Sequence, residues 1–299
     1  MVMMRLLLLA ASCLLGSAAL AQVPKTPATV PLWTSGAPGS EGRRGEAEQA
    51  QDYWIKNVHN PSLTVFPADP RHANGASVVV VPGGGHRIIV WTSEGIAVAQ
   101  ALNRMGISVF VLKYRLAREE GSRYTIEGDA LGDLRRAVRW VRANAKQYDL
   151  DPNRVGVMGF SAGGELVSML ADNKPAAALP PPRDPIDREN ARPDFQIQVF
   201  PGPLGIPAND AAEAPPAFIA AGSLDQCCAE PAVTLYEQLR KAGVPAELHM
   251  YANADHAFNL GEASNLLSIL HWPDRLHDWL IDSGFLDDRS RRSAASKAE

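Results

Sequence analysis

The chain has 299 residues, 46% of them hydrophobic and 21% charged, and its formal net charge is −4. That length and apolar content suffice for a single α/β domain with a large core of its own, and a mean hydropathy of −0.13 is that of an ordinary soluble globule. The mildly acidic balance gives no electrostatic reason to expect nucleic acid or an anionic membrane as a partner.

Met1 to Arg5 carries a positive charge, Leu6 to Gly16 is a short apolar run, and Ala19-Leu20-Ala21 is a small-x-small cleavage signal. Residues 1–21 therefore read as a secretory signal peptide whose apolar run is too short to cross a bilayer, and export to the periplasm or medium is expected. No later stretch is apolar enough to span a membrane. Residues 22–50, rich in Pro, Gly and Ala, read as an extended arm over the surface. Residues 51–286 form the expected folded domain, and residues 287–299, charged and rich in Ser and Ala, a frayed tail.

Within the domain, Leu63-Thr64-Val65-Phe66 alternates and reads as an edge strand. Ser77 to Val81 is a β-branched run and hence a buried strand. A helix is expected over Ile96 to Met105, stopped by Gly106, then a buried strand over Ile107 to Lys113. The longest helix, Asp129 to Ala145, places Leu131, Leu134, Val138 and Val141 on one face. A strand over Val155 to Met158 is followed by a helix from about Gly164 to Leu170. Residues 173–194 hold six prolines and exclude regular structure. A strand at Phe195 to Phe200 leads into a second Pro/Gly-rich loop over residues 201–216. Then come a strand at Ala217 to Ala221, a helix at Ala232 to Lys241, a strand at Ala246 to Tyr251, and a last helix at Leu266 to Ile281 that restarts near Pro273. Strands alternating with helices predict a mostly parallel central sheet covered by helices on both faces, with no separate cap domain.

Between the strand at 155–158 and the next helix lies Gly159-Phe160-Ser161-Ala162-Gly163, a Gly-x-Ser-x-Gly nucleophile elbow in the strand–turn–helix setting it requires. The glycines are expected to supply the positive φ and the close approach of so sharp a turn. A serine hydroxyl needs a base to take its proton, and that base needs a carboxylate to orient it. In this fold the acid and the histidine follow the serine in that order, each past a strand end. Asp225, four residues beyond Ala221, and His256, five beyond Tyr251, occupy those places. Asp225 also fits a helix N-cap, and Asp210, Glu230 and Asp255 are rival acids less well placed. Acyl transfer further needs N–H donors for an oxyanion. Pro82-Gly83-Gly84-Gly85-His86 follows the strand where such donors belong, and Gly84, Gly85 and Ala162 are the assigned donors. The loop has neither the Lys-Ser/Thr nor the Gly-x-Gly-x-x-Gly spacing of a phosphate cradle.

Beyond the signal peptide the only cysteines are the adjacent Cys227 and Cys228. They either join as a vicinal disulfide that stiffens the loop or pack as two thiols. No His/Cys spacing around them suggests a metal, and no cofactor motif is present.

Ser161, Asp225, His256 and the Gly83 to Gly85 run together resemble an α/β-hydrolase. The wording Pro-Gly-Gly-Gly-His at 82–86, Phe-Val-Leu-Lys-Tyr-Arg-Leu at 110–116, Gly-Phe-Ser-Ala-Gly-Gly at 159–164, Ala-Arg-Pro-Asp-Phe at 191–195 and Gly-Val-Pro-Ala-Glu-Leu-His at 243–249 is similar to secreted bacterial acetyl-esterases and feruloyl-esterase-like proteins. Pro82 and His86 depart from that pattern, which usually opens its oxyanion motif with His and closes it with an aromatic. The resemblance implies a serine esterase that removes short acyl groups, plausibly acetyl, from small-molecule or oligosaccharide esters. It leaves His86, Trp91 and Glu94 as candidate substrate contacts in an open site, with core packing for Trp91 and solvent exposure for Glu94 as the plainer readings. A prolyl-oligopeptidase-type peptidase and a non-catalytic binding protein on the same scaffold are the competing readings.

Overall fold

A computed structural model describes residues 27–173, 181–207 and 211–287. The signal peptide read at 1–21, the tail from 288 and the rival acid Asp210 lie outside the described residues.

Eight strands form the main sheet: β1 (Ala28–Pro31), β4 (Ser62–Phe66), β5 (Ser77–Val81), β7 (Ser108–Lys113), β8 (Val155–Phe160), β9 (Phe195–Val199), β10 (Ala217–Gly222) and β11 (Ala246–Tyr251), in the spatial order β1-β4-β7-β5-β8-β9-β10-β11. From β7 to β11 every neighbouring pair is parallel, whereas β4 runs antiparallel to both β1 and β7. A second, three-stranded antiparallel sheet joins β2 (Gln49–Gln51), β3 (Trp54–Lys56) and β6 (Ile89–Val90).

Period-two alternation sorts the core into layers. Val79, Val81, Val155 and Val157 face helices α2 (Leu131–Ala143) and α3 (Ala162–Ala171) through Leu134, Val138, Leu166 and Val167. Val78, Val80, Met158 and Phe160 face the opposite way, against α1 (Ala97–Arg104) and α6 (Trp272–Asp282) through Val98, Leu102, Leu276 and Leu280. Helix α4 (Ala229–Lys241) buries Ala232, Leu235 and Leu239 on Ile219 and Ala221. A short α5 (Leu267–Leu270) precedes α6, and Pro273 sits in the first turn of α6, where its missing N–H is no loss.

Between the apolar clusters under α3 and α4 runs a buried polar seam. Gln196 Nε2 donates to Asp172 Oδ1 at 2.5 Å, and Gln198 Nε2 donates to Ser168 Oγ at 3.0 Å. Burial pushes the Asp172 carboxyl up to about 7 against the bonds that favour its charge.

Three expectations are corrected. Leu63 to Phe66 does not lie on an edge: β4 is buried along its whole length because β1 pairs outside it. The segment 22–50 is accordingly more than a surface arm, since it supplies β1 and β2. The helices expected from Ile96 and Asp129 are each preceded without a break by a π-helical turn, at Thr92–Ile96 and Ile126–Ala130, so helical backbone begins earlier than expected.

The order of the strands determines where a site can form. The chain leaves β5 for β7 on one side and returns to β8 on the other, so the loops leaving β5 and β8 lie side by side at the carboxyl ends of adjacent strands. That crevice is where open α/β sheets bind ligands.

Candidate active site

Strand β8 delivers Ser161 and α3 carries it away. The positive φ of the elbow falls on Ser161 itself, at 49°, and not on the two motif glycines. Such a backbone costs ~1–3 kcal/mol and persists only when its surroundings impose it. Here Ser161 N–H donates to Val199 O at 3.1 Å, and Ser161 O accepts from Glu165 N and Gly202 N, each at 3.1 Å. The glycines serve the close approach instead. A Cβ on Gly159 would lie 2.5 Å from the Gly163 carbonyl oxygen, and one on Gly163 would collide with the Val81 carbonyl.

His256 follows β11 and turns its ring between two partners. Nε2 stands 3.1 Å from Ser161 Oγ, and Nδ1 stands 2.7 Å from Asp225 Oδ2. Phe200 lies against the imidazole with ring centroids 4.8 Å apart, which limits its rotation. Asp225 is buried, and its second oxygen is occupied too: Oδ1 accepts the N–H groups of Cys227 and Cys228, both at 3.0 Å. One carboxylate thus holds the turn that leads into α4 and faces the histidine, whereas the N-cap position of α4 itself falls on Cys228 and not on Asp225. Asp255 instead accepts the His256 backbone N–H at 2.7 Å, and Glu230 lies in the first turn of α4. A carboxylate facing Nδ1 selects the tautomer protonated there, leaving the Nε2 lone pair for the serine proton.

The Gly-rich loop leaving β5 lies against the elbow. A Cβ on Gly83 would sit 3.1 Å from Ser161 Cβ. The N–H groups of Gly84, Gly85 and Ala162 have no acceptor among the described residues, and Ala162 opens α3, where the helix dipole favours negative charge. Gly84 has φ 120°, and a Cβ there would collide with the Ile88 carbonyl.

The candidate substrate contacts fare differently. His86 is fully buried, its Nε2 2.8 Å from Glu165 Oε2, so it lies beneath the loop and does not face a substrate. Glu94 is buried as well and not exposed on a first turn: its Oε2 accepts the Gly83 N–H at 2.6 Å, and burial pushes its carboxyl up to about 7. Trp91 is half-buried against the core, with Lys113 Nζ 5.9 Å from its ring. Two buried residues of this neighbourhood escaped the sequence reading, Glu165 and Tyr114. The lone acid in the otherwise apolar Ala-Gly-Gly-Glu-Leu-Val was the available signal for Glu165.

Cys227 and Cys228 are joined as a disulfide. Ligand atoms of Asp225, Cys227, Cys228 and His256 lie within 4.8 Å of one another, a grouping that the sequence spacing had not suggested. With the sulfurs bonded to each other, neither is a thiolate ligand, and the set does not fit a resident metal.

Residues 65–202 match the BD-FAE family. An acetylxylan esterase of Xylanibacter ruminicola is 33% identical over 226 residues, covering 64% of this chain and 43% of that protein. An ethyl acetate hydrolase of Pseudomonas putida is 29% identical over 136 residues, 45% of this chain and 38% of the relative. The chain therefore spans less than half the length of these curated relatives. Among solved structures, an acetyl ester-xyloside bifunctional hydrolase from Caldicellulosiruptor lactoaceticus superposes with a TM-score of 0.68 at 27% identity, over 87% of this chain and 97% of the other. The chain has the α/β-hydrolase fold. No helix among the described residues is long and apolar enough to cross a membrane.

Proposed function

We propose that the chain is a serine carboxylester hydrolase acting through an acyl-enzyme, with Ser161 as nucleophile, His256 as general base and then general acid, and Asp225 as orienting acid. One observation carries this: a single imidazole lies 3.1 Å from the serine oxygen and 2.7 Å from a buried carboxylate.

His256 Nε2 takes the Ser161 proton as Oγ bonds to the ester carbonyl carbon. The carbonyl oxygen becomes an anion that the N–H groups of Gly84, Gly85 and Ala162 receive, a donor of this kind supplying ~3 kcal/mol each. The tetrahedral intermediate collapses, the C–O bond to the alcohol breaks, and His256 returns its proton to the leaving oxygen. Water then attacks the acyl-serine by the same route, releasing the acid and restoring the Ser161 hydroxyl.

For the substrate we infer short acyl groups, acetyl first, on carbohydrate or other small alcohols. The names of the acetylxylan esterase and of the acetyl ester-xyloside hydrolase support this reading. Export to an oxidising compartment fits both the leader read at residues 1–21 and the disulfide at Cys227–Cys228.

The test compares the mature protein with Ser161→Ala on p-nitrophenyl acetate and decanoate, acetylated xylan, feruloyl esters and amides. Acetyl esters should be turned over best, and the variant should lose ~10⁴-fold or more in kcat while keeping its fold. Retained turnover in the variant would sink the nucleophile. Preference for decanoate or an amide would sink the substrate class.

A further inference from the structure

The Gly-rich loop is an unusual piece of backbone to hold still. Gly84, Gly85 and His86 have φ of 120°, 64° and 60°, three consecutive residues in the positive region. Its backbone carbonyls are bonded: Gly83 O accepts the Val90 N–H of β6 at 3.1 Å, Gly84 O the N–H groups of Arg87 and Ile88, and His86 O that of Arg118. Buried side chains from three other elements hold it as well. Tyr114, just past β7, donates its hydroxyl to Pro82 O at 2.8 Å. Glu94, in the π-helical turn at Thr92–Ile96, accepts the Gly83 N–H at 2.6 Å. Glu165, on α3, meets His86 Nε2 at 2.8 Å.

These three pins are not equivalent. Tyr114 holds the carbonyl where the loop begins, and the His86–Glu165 pair holds the residue where it ends. Glu94 engages the other end of the same Pro82–Gly83 peptide, one residue before the first assigned oxyanion donor, so Tyr114 and Glu94 together fix the plane of that peptide. Gly83 is also the thinnest possible spacer: a Cβ on it would stand 3.0 Å from Glu94 Oε2 on one side and 3.1 Å from Ser161 Cβ on the other. Glu94 is 3% exposed, and no cation pairs with it among the described residues. Burying a carboxyl without a cation is costly, and the bond it makes satisfies a buried backbone N–H that has no other acceptor among the described residues.

We propose that Glu94 is a positioning residue for ester hydrolysis: by accepting the Gly83 N–H, its carboxyl fixes the peptide run that presents the Gly84 and Gly85 N–H groups to the oxyanion. The inference rests on the function proposed above and adds a residue that touches neither substrate nor nucleophile. Preorganised donors act on the transition state and not on the bound ester, so loosening them should lower kcat and leave KM alone.

The experiment uses the full mature protein and three variants. Glu94→Gln keeps an acceptor oxygen and should hold kcat on p-nitrophenyl acetate within threefold. Glu94→Ala should lose ~30-fold in kcat, less than the ~10²–10³ for deleting a donor outright, with KM within threefold. Glu94→Met, which fills the volume without a good acceptor, should match Ala and stands in if Ala fails to fold. Affinity for an acetyl trifluoromethyl ketone, which forms a tetrahedral adduct with the serine, should fall by the same factor as kcat. A kcat unchanged in Ala and Met, a parallel rise in KM, or loss of activity not rescued by Gln would overturn the assignment. If the unaltered protein hydrolyses the ester in a Ser161-dependent way while Glu94 variants behave like it, only this inference fails. If it hydrolyses no ester, the functional reading fails first.

Discussion

Replacing Asp225 by Asn tests the site through hydrogen-bond bookkeeping alone, because size and shape barely change. Asp225 Oδ1 accepts two backbone N–H groups at 3.0 Å, and Oδ2 faces His256 Nδ1 at 2.7 Å. An asparagine must keep its carbonyl oxygen towards the two N–H groups, since an amide NH₂ there would face two donors. Its NH₂ then points at Nδ1, which must become an acceptor, so the ring proton moves to Nε2. Ser161 Oγ, 3.1 Å away, then loses the lone pair that would take its proton. The residues stay in place while the tautomer reverses. By analogy with the same change in chymotrypsin-type triads, kcat should fall ~10⁴-fold, about 5 kcal/mol of barrier. Steady-state kinetics on p-nitrophenyl acetate, with melting followed in parallel, read the result. A loss below tenfold with the fold intact would refute the tautomer argument.

Two further outcomes follow from buried groups. Asp172 has its carboxyl raised from 3.8 to about 7 by burial, so its protonated form is the one the fold favours. That contribution to stability is full below about pH 3.8 and is lost as pH rises through about 7, a span of roughly 4 kcal/mol at most. Asp172→Asn should therefore unfold at higher denaturant than the unaltered protein at pH 8 and show a flatter dependence between pH 5 and 8; an unchanged slope would count against the burial argument. Reducing Cys227–Cys228 with a phosphine frees the two residues whose backbone N–H groups hold Asp225 Oδ1. It should lower kcat several-fold with KM steady, and a Cys227→Ser/Cys228→Ser protein should show the lower rate with or without reductant. A reductant effect that persists in the double variant would mean that some other group responds.

Much of this architecture was legible in the residues. Ser77 to Val81 reads as a buried strand and is one, and the elbow, the strand-end acid and the strand-end histidine follow each other in chain order. What stayed hidden depends on partners far away in sequence. Ala28–Pro31 is only four residues long and contains a proline; it becomes a strand by pairing with the edge that Ser62–Phe66 offers. Glu94 looks like any charged residue at the start of a helix, and nothing local announces the π-helical turn or the Gly83 N–H that it meets. The positive φ was expected on the motif glycines because glycine tolerates it best, yet the turn places it on Ser161 and spends the glycines on clearance. His86 follows a glycine run that borders the site, but its own positive φ belongs to a turn that leaves the ring beneath the loop against Glu165.

The strand β1 has a practical consequence for how the protein is handled. It is the outermost strand, attached by four paired residues and a Thr29–Thr64 side-chain bond at 3.2 Å, and anchored beyond its end where Arg136 Nε donates to Leu32 O at 3.0 Å. A protease or a shortened expression boundary that removes residues 27–33 would uncover β4, a five-residue strand buried on both faces. Its free edge would then offer a template for pairing with a second chain. Preparations trimmed there should precipitate or form strand-paired oligomers before they lose the Ser161, His256 and Asp225 arrangement, which sits on the other side of β7. The length of the N-terminus left on the purified protein is therefore a solubility variable as well as a matter of processing.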